Sequence, residues 1–165
     1  MLNMQDYSAK AQEVLNTIPV ILARYKQTQM TSEHILLLIT EHGSNAGFEI
    51  IEKLAPDVAA VKRDTERAVR ELGMQSAPMA PTGQIFITPD AYRILDEAKK
   101  EAARMQDNKI GCEHLILGIL RVESSGAAKI LARHGLSVEK VYTTIKEQRS
   151  SGGTAEKDNL GALQK

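Results

Sequence analysis

The strongest constraint on this chain is that it is written twice. Residues 31–41, T-S-E-H-I-L-L-L-I-T-E, return eighty positions later as residues 111–121, G-C-E-H-L-I-L-G-I-L-R. Glu33 and His34 come back as Glu113 and His114, and Leu37 and Ile39 as Leu117 and Ile119. The same ungapped offset lays Tyr7-Ser8 over Ile87-Thr88, Ala11 over Ala91, Val14-Leu15 over Ile94-Leu95, and Ile50, Val58 and Val61 over Ile130, Val138 and Val141. These matches fall on caps and apolar positions, where chance agreement explains least. A period of eighty is longer than the usual solenoid unit. Two copies suit a closed, pseudo-twofold domain better than an open array.

Each central segment starts polar and becomes an apolar run. The polar start reads as a helix N-terminus, with Ser32 placed as its cap because a hydroxyl can accept a free N–H of the first turn. The run has no polar face, so each central helix is expected to be buried on most sides. Before it, Ser8 caps a helix carrying Ala11, Val14, Leu15, Ile18 and Leu22 on one face, and Pro19 should kink or break that helix near residues 16–18. Its counterpart holds Lys99 at this position and should run unbroken from Pro89 to about Met105, started by Thr88 and proline at the first helical position. After each centre comes a short helix (Phe48, Ile50, Ile51, Leu54; Ala128, Ile130, Leu131), with Gly135 ending the second one. Asp57 and Ser137 cap the fourth helices. The expected fold is all-α: two four-helix repeats, eight helices in all, and no convincing strand, Ile85-Phe86-Ile87 being a short β-prone run. Repeat one spans 7–72 and repeat two 87–149, joined by a linker at 73–84. Residues 150–165 open with S-S-G-G-T and read as a flexible linker toward a further domain, so the chain reads as a piece of a longer protein.

Residues 1–149 suit one domain with a real core. Lys plus Arg and Asp plus Glu both number 21, which argues against nucleic acid or an anionic membrane as the main partner. There is no run of eighteen apolar residues, and Met1 to Lys10 is not a signal peptide. The single cysteine, Cys112, rules out an internal disulfide and fits a reducing cytoplasm. With two Phe and four Tyr the core must be largely aliphatic.

No phosphate-binding loop, dinucleotide fingerprint, H-E-x-x-H or G-x-S-x-G motif occurs. No catalytic residue, metal site or cofactor is therefore expected in this piece. His34 and His42 are eight apart, too far for an i, i+4 metal pair. Cys112 and His114 are two apart on a helix start and do not face each other. The two histidines read as residues that fix the packing of a helix start. Glu33 and Glu113 sit where the helix dipole favours a carboxylate, by about 0.3–1 kcal/mol, and beside free N–H groups able to hold an anion.

With its E-H helix starts, Tyr7-Ser8-x-x-Ala11 and Thr88-Pro89-x-Ala91, the chain resembles the Clp N-terminal repeat, the double domain that opens Hsp100/Clp unfoldases of the AAA+ class. G-C-E-H-L-I-L-G-I-L-R followed by G-A-A-K-I-L-A-R-H-G-L is similar to the ClpC-type G-T-E-H-I-L-L-G-L pattern and its downstream A-A-x-x-L-x-x-x-G-[LV]. The first unit departs from it with T-S-E-H, L-L-L-I and Pro19. ClpB-type disaggregases share this fold. The resemblance implies a non-catalytic, monomeric module that receives unfolded or tagged substrates and adaptor proteins for a hexameric ATPase, with ATP and Mg confined to other domains. In ClpC-like members the glutamate of each E-H motif recognises phosphoarginine. Carried over, the site residues are Glu33 and Glu113, with Thr31 and Ser32 as hydroxyl donors and Gly111 and Cys112 in the second, weaker site. The ClpB-like alternative is an apolar groove that takes unfolded segments; a free-standing helical adaptor is a further one.

Overall fold

The two apolar runs become α3 (Ser32–Glu41) and α7 (Cys112–Arg121) in the computed structural model, which describes residues 3–75 and 85–150. Every residue from Ile35 to Ile39 and from Leu115 to Ile119 is buried, each large aliphatic side chain contributing about 1.5–3 kcal/mol. Around α3 stand α1 (Ala9–Leu15), α2 (Ile18–Tyr25), α4 (Ala46–Leu54) and α5 (Val58–Gln75). Around α7 stand α6 (Pro89–Arg104), α8 (Gly126–Arg133) and α9 (Val138–Ser150). A 3₁₀ turn at Met4–Asp6 precedes them. The units interlock, because α4 packs on α7 and α8 on α3. With α1 and α2 counted as halves of one broken helix, the described residues hold the eight helices that the repeat predicts.

Most helix starts follow the expected caps. Ser8 Oγ accepts from Ala11 N, Asp57 from Ala59 N and Ala60 N, Thr88 Oγ1 from Ala91 N, and Ser137 Oγ from Lys140 N. The cap of α3 differs from the expectation. It is Thr31, whose Oγ1 accepts from His34 N at 3.4 Å; Ser32 is the first helical residue, and its hydroxyl crosses to the other unit. At α7 the equivalent cap position is Gly111. Gly135, at φ +92°, closes α8 as expected, with Leu136 N bonded back to Leu131 O at 3.0 Å.

The first helix breaks where Pro19 requires. It ends at Leu15, Thr17 takes the N-cap position, and Pro19 falls in the first turn of α2, where no intrahelical donor is missed. Its counterpart α6 runs without interruption through Lys99.

The expectation of no strand needs correcting. Gln29–Met30 (β1) and Phe86–Ile87 (β2) form a parallel pair, with Phe86 N donating to Thr28 O at 2.8 Å and Thr88 N to Met30 O at 3.1 Å. A second parallel bridge joins Tyr7 to Ile110. The two are related by the eighty-residue offset: Tyr7 matches Ile87, and Ile110 matches Met30. Each segment entering a central helix thus pairs with the segment entering the other unit's first helix. Pairs of two residues are too short for periodicity to announce them. α5 continues to Gln75, past the expected start of the linker at Gly73. Residues 76–84 and 151–165, which carry the other linker and tail expectations, lie outside the described residues.

Candidate functional site

The helix starts are built on two equivalent turns. α2 and α6 end in left-handed residues, Lys26 (φ 55°) and Gln106 (φ 60°). The next N–H of each turns back into its helix, Gln27 N to Leu22 O and Asp107 N to Ala102 O, both at 2.9 Å. This sets Gln27 and Asp107 against the two histidines. His34 Nδ1 accepts the Thr31 N–H at 3.0 Å, so the ring proton is on Nε2, which donates to Gln27 Oε1 at 2.5 Å. Gln27 Nε2 donates in turn to Val69 O at 2.8 Å. In the second unit His114 Nδ1 accepts the Gly111 N–H at 2.8 Å and Nε2 donates to Asp107 Oδ2 at 2.7 Å. Asp107 then receives a fork from Arg149: Nη1 to Oδ1 at 3.0 Å and Nη2 to Oδ2 at 2.7 Å.

The same scaffold therefore holds a neutral network in one unit and an ionic one in the other. Burial lowers the pKa of His34 to about 4, so its ring is neutral. Burial pushes the Asp107 carboxyl up, but the hydrogen bonds from His114 and Arg149 and the charge of Arg149 outweigh it and hold it below the usual carboxylate range. Both histidines lock helix starts, as the sequence reading expects, and both are buried, as is Cys112.

The two glutamates have different surroundings. Glu33 is partly exposed. Ser32 Oγ donates to its Oε1 at 2.6 Å and accepts from Ala127 N at 3.1 Å. The Glu33 carboxylate lies against Gly126, the first residue of α8, and would have to move aside for a side chain there. Ser32 and Glu33 thus meet the positive end of a helix from the other unit. Glu113 is buried, and its Oε2 is 3.1 Å from Arg149 Nη2. Gly111 and Cys112 are buried beside it, and the Cys112 carbonyl packs against Gly47 at the start of α4. Sequence reasoning misses Asp107 and Arg149. The available signal was their joint appearance: the repeat places Gln27 and Val69 at the same two positions, and both change to charged residues of opposite sign.

A groove of about 240 Å³ opens between the chain start and α6, with Tyr7, Ile87, Tyr92, Leu95 and Ile110 on its walls. Asp6, Asp96 and Lys99 also line it. Tyr92 is 57% exposed, and Ile85 and Phe86, next to Ile87, are 41% and 50% exposed, so apolar surface lies beside the groove. Burial, assisted by Asp6, pushes the Tyr7 phenol up to about 12, keeping it protonated. Among the described residues no group of three or more His, Cys, Asp or Glu is placed to hold a metal ion, and no helix is long and apolar enough to cross a membrane.

Two interlocked helical repeats, each centred on a buried helix that carries Glu-His in its first turn, define a duplicated all-helical fold. The chain belongs to the Clp repeat (R) N-terminal domain family, whose model matches residues 6–134. It is 27% identical over 139 residues to the chaperone protein ClpB of Oceanobacillus iheyensis, covering 84% of this chain and 16% of that protein. It is 24% identical over 148 residues to the negative regulator of genetic competence ClpC/MecB of Bacillus subtilis, covering 90% of this chain and 18% of the relative. The fold matches the crystal structure of the Hsp104 N-terminal domain from Candida albicans with a TM-score of 0.72 at 17% identity, covering 93% and 99% of the two chains. The chain spans less than a fifth of these curated relatives and corresponds to their non-ATPase N-terminal part.

Proposed function

We propose that this domain receives extended, apolar segments of client or adaptor polypeptides and hands them to the AAA+ ATPase ring of a hexameric, cytoplasmic Clp/Hsp100 parent. The observation that carries this reading is the exposed apolar patch of Tyr92, Ile85 and Phe86, set beside a groove of mixed lining in which Asp6, Asp96 and Lys99 stand with Tyr7 and Ile87. Apolar side chains exposed next to one another mark interaction sites. The preceding parallel pair offers backbone geometry suited to an extended partner. Titrating the domain with a fluorescent apolar decapeptide tests the reading. The Tyr92→Glu, Phe86→Glu double variant changes exposed side chains only and is expected to fold normally and to bind at least roughly tenfold more weakly. Equal binding by variant and wild type would overturn the groove. Mg-ATP is expected to give no binding heat with this domain.

A second reading is favoured by Glu33, a partly exposed carboxylate set against the first turn of α8. Such a pair of features suits a phosphoarginine side chain: the carboxylate takes the planar guanidinium and a helix N-terminus takes the phosphoryl group. Thr31 and Ser32 border this site, while Gly111, Cys112 and Glu113 form its more enclosed counterpart. Binding of free phosphoarginine that disappears in the Glu33→Ala, Glu113→Ala double variant, with the helical fold intact, supports it. Binding that is unchanged in that variant, or absent from both proteins, removes it.

A further inference from the structure

The second unit contains an ion trio that the first unit lacks. Asp107 and Glu113 are two buried carboxylates, with side chains 0% and 2% exposed, and both pair with the Arg149 guanidinium, 8% exposed. Asp107 is engaged by the fork of Nη1 and Nη2, and Glu113 by Nη2 alone. The fit is incomplete. Glu113 Oε1 and Arg149 Nε are both buried without a hydrogen-bond partner among the described residues. A carboxylate with one oxygen unused faces a guanidinium with one edge unused, and paired N–H bonds to both oxygens would be the stronger geometry.

Arg149 reaches this position from the last turn of α9, next to its final residue. A groove lined by Met105, Tyr142, Ile145, Lys146, Arg149 and Ser150 opens beside it, so the Arg149 side chain borders a solvent-accessible surface. The first unit has Val69 where the second has Arg149, and there Glu33 stays partly exposed with no cation on it among the described residues.

We propose that Asp107 and Glu113 form a guanidinium-binding pocket that the chain fills with its own Arg149, so that an external guanidinium enters the second unit only by displacing Arg149 and freeing the last turn of α9. For the identity of the natural ligand the proposal rests on the phosphoarginine reading of Glu33; the self-occupied pocket is tested without it. Chemically, Arg149 is a tethered competitor: it is held at high effective concentration and lacks only the phosphoryl group. Ligand at Glu113 and a docked α9 end are then mutually exclusive, whereas Glu33 accepts ligand with α9 in place.

The test compares wild type with Arg149→Ala, using methylguanidinium as the probe and the amide resonances of Glu113 and His114 as the readout. Saturable shifts are expected in the variant, with wild type responding at least roughly tenfold more weakly. Adding Glu113→Gln to the variant should weaken the binding again. If Arg149→Ala does not fold, Arg149→Met keeps the apolar stem and serves in its place. Equal response by wild type and variant, or none by the folded variant, overturns the pocket. Phosphoarginine then separates the two ideas. One equivalent bound by wild type and two by the variant supports both. Binding to neither unit, with the methylguanidinium result as expected, leaves the self-filled pocket standing and removes the phosphoarginine reading.

Discussion

The two units have the same plan and different interiors, and the differences come in matched sets. In the second unit Gly118 lets α7 lie directly on α6: a Cβ there would sit 2.5 Å from Ile94 O and 3.0 Å from Ala98 N. The first unit has Leu38 at that position. It is accommodated because the residues matching Ile94 to Ala98 are Val14 to Ile18, where α1 stops and α2 starts. Leu38 and the Pro19 break are therefore one exchange rather than two oddities. The same holds at the rim of each centre. Arg24 pairs with Glu41 at 2.6 Å. The counterpart of Glu41 is Arg121, and buried Glu101 stands where the first unit has Ile21, pairing with both Arg104 and Arg121 and accepting from Tyr142 Oη. Duplicated units diverge by compensated groups of residues because close packing and buried charge each penalise a half-made change.

The largest effect is expected from breaking the ionic centre. Arg149→Val, which installs the first unit's residue, should cost about 3–5 kcal/mol in urea unfolding, because two buried carboxylates lose their cation. Adding Asp107→Gln, the second half of the exchange, should recover about 1–2 kcal/mol as a coupling energy. Strict additivity of the two changes would show that the pair does not act as a set.

Next comes the packing exchange. Gly118→Leu in the second unit should cost about 3 kcal/mol or prevent folding, since the clash is with backbone. Leu38→Gly in the first unit leaves a cavity and should cost about 3–5 kcal/mol, comparable to a large core truncation plus the glycine penalty. Thermal unfolding of both variants checks this. A tolerated Gly118→Leu would mean that α6 moves away readily.

The neutral centre should report itself through pH. The folded pKa of His34, about 4, lies below the ordinary 6.5, so the unfolded chain takes up its proton first as pH falls. Stability is then lost progressively below about pH 6.5, by roughly 2 kcal/mol between pH 7 and pH 5. His34→Gln should remove most of that slope. Asp107 is shifted in the same direction, downward, so it too loses stability on acidification, but at lower pH: its contribution is full above the ordinary carboxylate range and is lost as pH falls through its depressed pKa. A pH 7 to 5 slope unaffected by His34→Gln would contradict the neutral assignment.

The smallest effect is expected at Pro19. It sits in the first turn of α2 rather than in a helix interior, so the interior penalty of about 3 kcal/mol does not apply. Pro19→Ala should change stability by less than about 1 kcal/mol, as measured by urea denaturation. A larger loss would make the break a requirement for holding Leu38.

The repeat made the fold legible, because caps and apolar spacing recur at one offset and any error in one unit is checked by the other. The break at Pro19, the buried centres and the glycine at the end of α8 follow from local chemistry written in a few residues. The inter-unit strands were not legible, since two-residue pairs leave no periodic trace. The choice between Thr31 and Ser32 as cap was also hidden: both residue types cap well, and tertiary contact with Ala127 decides which hydroxyl goes where. At the candidate site the glutamates could be picked out, but not their environments. Burial of Glu113 depends on Arg149, thirty-six residues away, and no short motif encodes that distance.

Ser32 and Ala127 are ninety-five residues apart. On a ribosome adding about 5–20 residues per second, roughly 5–20 seconds separate their synthesis. Until Phe86 and Ile87 emerge, Gln29 and Met30 have no strand partner, and until residues 126–133 follow, α3 lacks its α8 neighbour. The first unit thus waits with one side of its central helix uncovered until the second unit emerges to close over it.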